Sequence, residues 1–165
     1  MIVVSDTTPL SELAKVGRLT LLQDIFGRVI IPLEVYNEVT TGTHPAVTAV
    51  QSASWIEVQS VADINNVLTL QTDTGLDLGE CAAIVLAQEL GANRLLIDER
   101  TARREAQSRG LPVIGTIGIL LLAKQRSHTR TFGQPMGQFY ARKRHRAVGK
   151  ETGSHQLPKS ASTTP

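Results

Sequence analysis

The sequence predicts a three-layer α/β/α fold on a central parallel sheet, and three observations carry that expectation. Short runs in which every residue is apolar, such as Ile2-Val3-Val4, Val29-Ile30-Ile31 and Leu95-Leu96-Ile97, have the pattern of strands buried on both faces. Between them lie stretches with apolar residues at helical spacing. Strands that alternate with helices give a parallel sheet covered on both sides by right-handed crossovers. Apolar residues make up 41% of the 165 and aromatic ones only 4%, enough aliphatic material for one domain-sized core.

Each element has its own signal. The strand Ile2-Val3-Val4 runs into Ser5-Asp6-Thr7-Thr8-Pro9, where Thr8 is suited to cap a helix and Pro9 to open it. Leu10, Leu13 and Ala14 continue that helix to Gly17, and Leu19, Leu22, Ile25 and Phe26 mark a second. A strand over Arg28–Ile31 closes at Pro32, and a helix follows to about Val39, with Val35 and Val39 one turn apart. Thr40–Pro45 is a polar break before a short helix near Ala46–Ser52 and a strand over Trp55–Val58. Residues 59–72 carry no assigned element, and Asp73–Gly79 reads as a turn. Glu80–Leu90 is apolar almost all round, the mark of a buried helix, and Gly91 ends it. The strand Arg94–Ile97 delivers Asp98, a helix spans Arg100–Ser108 up to Gly110, and a last strand, Pro112–Ile114, leads to a last helix, Thr116–Lys124. No internal repeat is present.

The net charge of +2 hides a division. Residues 1–124 hold 9 Lys/Arg against 14 Asp/Glu, whereas residues 125–165 hold 8 Lys/Arg against Glu151 alone, so −5 and +7 add to the whole. From Gln125 the periodicity stops, and the composition predicts a disordered basic C-terminal tail after a domain of residues 1–124. Two readings of the tail stand open: a basic arm for nucleic acid, or a reading-frame change near Ser127 that replaces the native C-terminus. One cysteine excludes an intramolecular disulfide and a Cys-built zinc site. The N-terminus lacks the basic n-region of a signal peptide, and Val113–Ala123 is far short of the roughly 20 apolar residues of a membrane span. The expected setting is the cytoplasm, with no membrane contact.

The chemistry is sought at the carboxyl ends of the strands, where open parallel sheets bind ligands. Two strands end there in an acid, Asp6 and Asp98. Each alone reads as a helix cap; two facing each other repel unless a cation lies between them, and the two readings stand level. Asp77 with Glu80 three residues on reads as a capping-box-like helix start, which leaves Glu80 able to face a metal as well, and Glu38 shares a solvated helix face with Glu34 on pattern alone. If Asp6, Glu38, Glu80 and Asp98 converge, their hard oxygens suit Mg²⁺ or Mn²⁺ rather than zinc. His44, His128, His145 and His155 lack ligand spacing, and Cys81 reads as a small core residue. Gly115-Thr116-Ile117-Gly118 is too poor a match to a phosphate or dinucleotide loop to use.

Taken in order, Ile2-Val3-Val4-Ser5-Asp6-Thr7-Thr8-Pro9-Leu10, Val29-Ile30-Ile31-Pro32 with Val35 and Glu38-Val39, Leu78-Gly79-Glu80, and Leu95-Leu96-Ile97-Asp98-Glu99-Arg100 resemble a PIN domain. More narrowly they resemble a PIN-like bacterial and archaeal subfamily related to the VapC toxins of toxin–antitoxin modules, over about Ile2 to Lys124. The resemblance implies a metal-dependent endoribonuclease using one or two Mg²⁺ or Mn²⁺ ions, with an RNA substrate, a small cognate antitoxin protein and a homodimeric assembly. Carried over by position, Asp6 stands where the family has an acid after its first strand, and Glu38 where it has one in the helix after the second. Glu80 opens the buried helix, where many of the toxins have Asp, and Asp98 follows the next strand. The chain departs from the pattern twice. Arg100-Thr101 occupy the region of a further acid, with only Glu99 nearby, and the tail replaces a C-terminal helical extension. Around these acids, Ser5, Thr7 and Glu99 would support metal-bound water, and Arg100, Arg103 and Arg104 would contact phosphates, or else form a solvated helix face paired with Glu99 and Glu105. Two rivals remain: a catalytically weak or inactive PIN-like interaction module, and a haloacid-dehalogenase-type phosphatase, for which Thr8 stands where a second Asp is needed.

Overall fold

The computed structural model describes residues 1–41 and 45–132, and at 45 and 128–132 the backbone alone. Five strands form one sheet: β1 (Val3–Ser5), β2 (Val29–Pro32), β3 (Ile56–Gln59), β4 (Arg94–Leu96) and β5 (Val113–Ile114). All pairings are parallel, in the order β3-β2-β1-β4-β5, so β1 lies at the centre with β2 and β4 beside it. Eight helices cross over among the described residues: α1 (Thr7–Lys15), α2 (Thr20–Phe26), α3 (Leu33–Val39), α4 (Pro45–Gln51), α5 (Ile64–Thr74), α6 (Leu78–Glu89), α7 (Arg100–Ser108) and α8 (Thr116–Phe132).

The strand pleat divides the core into two. Val4, Ile30 and Leu95 point to one face, where α6 packs with Val67 and Leu70 of α5 and Ala102 and Ala106 of α7. Val3, Val29, Ile31 and Leu96 point to the other, against Leu10 and Leu13 of α1, Leu22 of α2, Val35 of α3, Val50 of α4 and Ile119 of α8. These are the three layers that the all-apolar strands predict, since a strand with residues of both parities buried needs cover on both sides. Truncating a fully buried residue such as Leu10 or Leu96 to Ala would cost about 2–5 kcal/mol.

Several details differ from the sequence expectation. Asp6, rather than Thr8, holds the cap position of α1, and Pro9 is the third helical residue. First-turn N–H groups have no intrahelical acceptor, so the missing proline donor is tolerated there. The unassigned stretch contains α5, capped by Asp63, which accepts from the Asn65 N–H at 2.9 Å, and ended by the left-handed Gly75 at φ 71°. Asp73 and Thr74 therefore belong to a helix and not to a turn.

The last helix also runs on past Lys124, to Phe132. No Gly or Pro lies between Gly118 and Gly133 to stop it. In addition, the Arg126 guanidinium donates to the carbonyls of Asp24 and Ile25, at 3.0 and 2.8 Å, meeting acceptors left open at the end of α2. Residues 125–132 are thus helical where a tail is expected, and residues 133–165 of that tail lie outside the described residues. No described helix is long and apolar enough to cross a membrane.

Candidate active site at the carboxyl edge

Because all five strands are parallel, their carboxyl ends share one edge. The β1–β4 pairing sets Ser5 opposite Leu96, and the Asp6 N–H donates to the Leu96 carbonyl at 2.9 Å. Asp6 and Asp98 therefore leave the sheet from neighbouring strands.

Asp6 is 2% exposed and begins α1 in extended backbone, yet its side chain makes no capping hydrogen bond. Burial pushes its carboxyl up to about 7; the Thr7 amide pulls the other way, and the charges of Asp77 and Glu80 add to the rise. Glu80 is also buried, and burial first, then Asp77, with smaller effects of Glu99 and Glu38, raises its carboxyl as well. Its helix start is the expected capping box: the Glu80 N–H donates to Asp77 Oδ1 at 2.7 Å and the Asp77 N–H to Glu80 Oε2 at 3.2 Å.

Glu38 reaches the same edge from α3. Its Oε2 accepts from the Thr7 hydroxyl at 2.8 Å and lies over Gly79, where a Cβ would come within 2.7 Å of it. Gly79 is not among the positive-φ glycines, so the space is what it supplies. Asp98 is held from α8: the Thr116 N–H donates to Oδ1 at 2.7 Å and the Thr116 hydroxyl to Oδ2. Gly115 is again a matter of room, for a Cβ there would stand 2.6 Å from Asp98 Oδ1 and 2.8 Å from Arg103 Nη1.

The remaining candidates divide. The Ser5 hydroxyl is fully buried and donates to the Asp6 main-chain carbonyl. Glu99 is exposed and caps α7, accepting from the Ala102 N–H at 2.6 Å, which holds its carboxyl below the usual range. Arg100 and Arg104 are exposed and Arg103 half-buried, and none of the three forms an ion pair among the described residues. The structure thus gathers Asp6, Asp77, Glu80, Glu38 and Glu99 into one field of like charge, with Asp98 beside them through the strand register. Sequence reasoning missed Asp77 as a member of this field, along with Thr116, Gly79 and Gly115. Asp77 was visible only as a cap, and the one available hint at Thr116 was a poor glycine motif.

Whether a divalent cation suits these residues is a question of donor chemistry. Every group is a hard carboxylate oxygen, Asp6 is buried without a basic partner among the described residues, and neighbouring acids raise both Asp6 and Glu80. A cation relieves that repulsion, so the donors fit in kind. As they stand, no three His, Cys, Asp or Glu side chains among the described residues are grouped closely enough to hold one ion. Thr7 holds Glu38, Thr116 holds Asp98 and the Asp77 amide holds Glu80.

A family model described as a PIN domain matches residues 2–146, reaching beyond the Lys124 limit drawn from the sequence. The crystal structure of PAE2754 from Pyrobaculum aerophilum superposes with a TM-score of 0.56 at 16% identity, covering 75% of this chain and 96% of that one. No curated protein matches.

Proposed function

The chain belongs to the PIN-domain family, and from that premise we propose that it is a divalent-cation-dependent endoribonuclease, the toxin of a toxin–antitoxin pair. One observation carries the reading: two buried acids, Asp6 and Glu80, lie at the carboxyl edge of the sheet within reach of the charge of Asp77, and among the described residues no basic group offsets either of them. Asp6, Glu38, Glu80 and Asp98 would hold Mg²⁺ or Mn²⁺, one ion or two, with Asp77 close enough to influence both Asp6 and Glu80. When bound, the cation supplies a Lewis acid for the phosphodiester and acidifies water.

The chain's own residues do the rest. Asp6, the most buried of the four, sets the depth of the site, and arriving positive charge would favour loss of its proton. Thr7 fixes Glu38, and Thr116 fixes Asp98, so two of the acids are oriented in advance. Arg100, Arg103 and Arg104, on the first turns of α7, form no ion pair among the described residues and lend the edge near Asp98 the positive potential that draws in an RNA backbone. The partners of this reading are an RNA substrate, a small antitoxin protein and a second copy of the chain, in the cytoplasm.

A second reading, a non-catalytic PIN-like interaction module, is favoured by the absence of any preformed three-ligand group among the described residues. Incubation of the purified protein with structured RNA separates the two. The nuclease cleaves with Mg²⁺ or Mn²⁺ and stops with EDTA, and Asp6→Asn or Asp98→Asn lowers the rate by about 100-fold or more. Cleavage that persists in EDTA removes the metal mechanism, and no cleavage with either ion leaves the interaction module.

A further inference from the structure

Among the three arginines of α7, the geometry points to Arg103 as the residue that fixes an RNA phosphate beside Asp98, an inference that rests on the RNA-directed reading above. Arg103 is half-buried, yet among the described residues its guanidinium makes no hydrogen bond and no ion pair. Ordering and partly desolvating an arginine is unfavourable unless a partner meets its planar fork, and no such partner comes from within the described chain. The neighbouring Asp98 carboxylate is already taken up by Thr116.

The position is built, because Gly115 leaves it open. This buried glycine has no positive φ to account for it, and any Cβ would lie 2.8 Å from Arg103 Nη1 and 2.6 Å from Asp98 Oδ1. One small residue therefore makes room for a candidate cation ligand and a free guanidinium over the same spot. A phosphate diester matches that pair: its negative oxygens accept from the fork, while the acid edge beside it serves the cation. Arg100 and Arg104, exposed on the same helix, lack such a seat and would act only as diffuse positive charge.

The test is binding of a fluorescently labelled single-stranded RNA to the full chain by anisotropy, in EDTA, over a series of KCl concentrations. Arg103→Gln is expected to weaken binding about tenfold and to flatten the slope of log K against log salt by about 0.7, the value of one phosphate contact on a single strand. Arg103→Lys should restore the slope but not the full affinity, because it keeps the charge and loses the fork. Arg104→Gln should stay within about twofold of wild type. Wild-type affinity in Arg103→Gln, or equal losses in Arg103→Gln and Arg104→Gln, overturns the assignment. Cleavage with Mg²⁺ is read separately, so a chain that binds through Arg103 without cleaving refutes the nuclease reading alone.

Discussion

Asp6 concentrates the electrostatic tension of the site in one residue. A rise from 3.8 to about 7 corresponds to about 4 kcal/mol held against the folded state once the carboxyl is ionised. Below pH 3.8 both folded and unfolded chains carry the proton and the group has no effect. Between there and pH 7 the folded chain holds a proton that the unfolded one has lost, so stability falls as pH rises, and above pH 7 the whole penalty is present. Asp6→Asn should therefore make the metal-free protein more stable at pH 8, by roughly 1–3 kcal/mol, since Asn keeps the burial of a polar group but not its charge. The gain should shrink towards zero by about pH 4. Urea unfolding across pH 4 to 8.5 measures it, and a variant less stable than wild type at pH 8 would make Asp6 an ordinary helix cap. Cys81 is the quiet contrast: burial pushes its thiol up to about 11, so it should resist thiol reagents in the folded chain.

At the scale of elements, what could be read from the sequence follows from how many residues announce each one. The three central strands and α6 declare themselves by runs of apolar residues, and Asp77 with Glu80 predicts the capping box that forms. By contrast, α5 buries only Val67 and Leu70, one pair at i,i+3 set among Asn65, Asn66 and three threonines of low helix propensity. The extension of α8 rests on Arg126 meeting carbonyls about a hundred residues away, a pairing that no local pattern encodes. The candidate site shows the same limit. Acids at strand ends are legible, but their tethers to Thr7 and Thr116, and the room made by Gly79 and Gly115, exist only once the chain has folded. Two substitutions probe these links. Arg126→Ala should cost about 1 kcal/mol in thermal or urea unfolding by freeing the end of α2. Gly79→Ala should leave stability unchanged or raise it by up to about 1 kcal/mol, because alanine favours the helix and the exposed Glu38 tip can swing away. RNA cleavage by that variant should nevertheless fall about tenfold or more, since Glu38 then loses its hold on Thr7. Unchanged cleavage would take Glu38 out of the site.

For the whole molecule, the topology explains why acids so far apart in sequence share one place. A parallel sheet sends every strand's exit to the same edge, and placing β1 between β2 and β4 brings the segments carrying Asp6, Glu38 and Asp98 together, while α6 adds Asp77 and Glu80. The fold thus concentrates like charge at one edge, with Asp6 and Glu80 out of water, and a divalent cation that binds only the folded chain should reverse the penalty. At about 100 times its dissociation constant, Mg²⁺ would stabilise wild type by roughly 2.7 kcal/mol, or about 5–10 °C in Tm for a chain of this size. Asp6→Asn and Asp98→Asn should lose most of that shift, Asp6→Asn while starting from a higher Tm in EDTA at pH 8. The response should also steepen with pH, because below about pH 7 the cation must displace the proton on Asp6 before that carboxylate can serve. Melting curves of wild type and both variants, in EDTA and in Mg²⁺ at pH 6 and 8, contain the whole comparison. A wild-type shift equal at the two pH values would mean that the ion binds elsewhere on the surface. No shift at all would return the acids to capping and surface roles, and the interaction module would then be the better account of this fold.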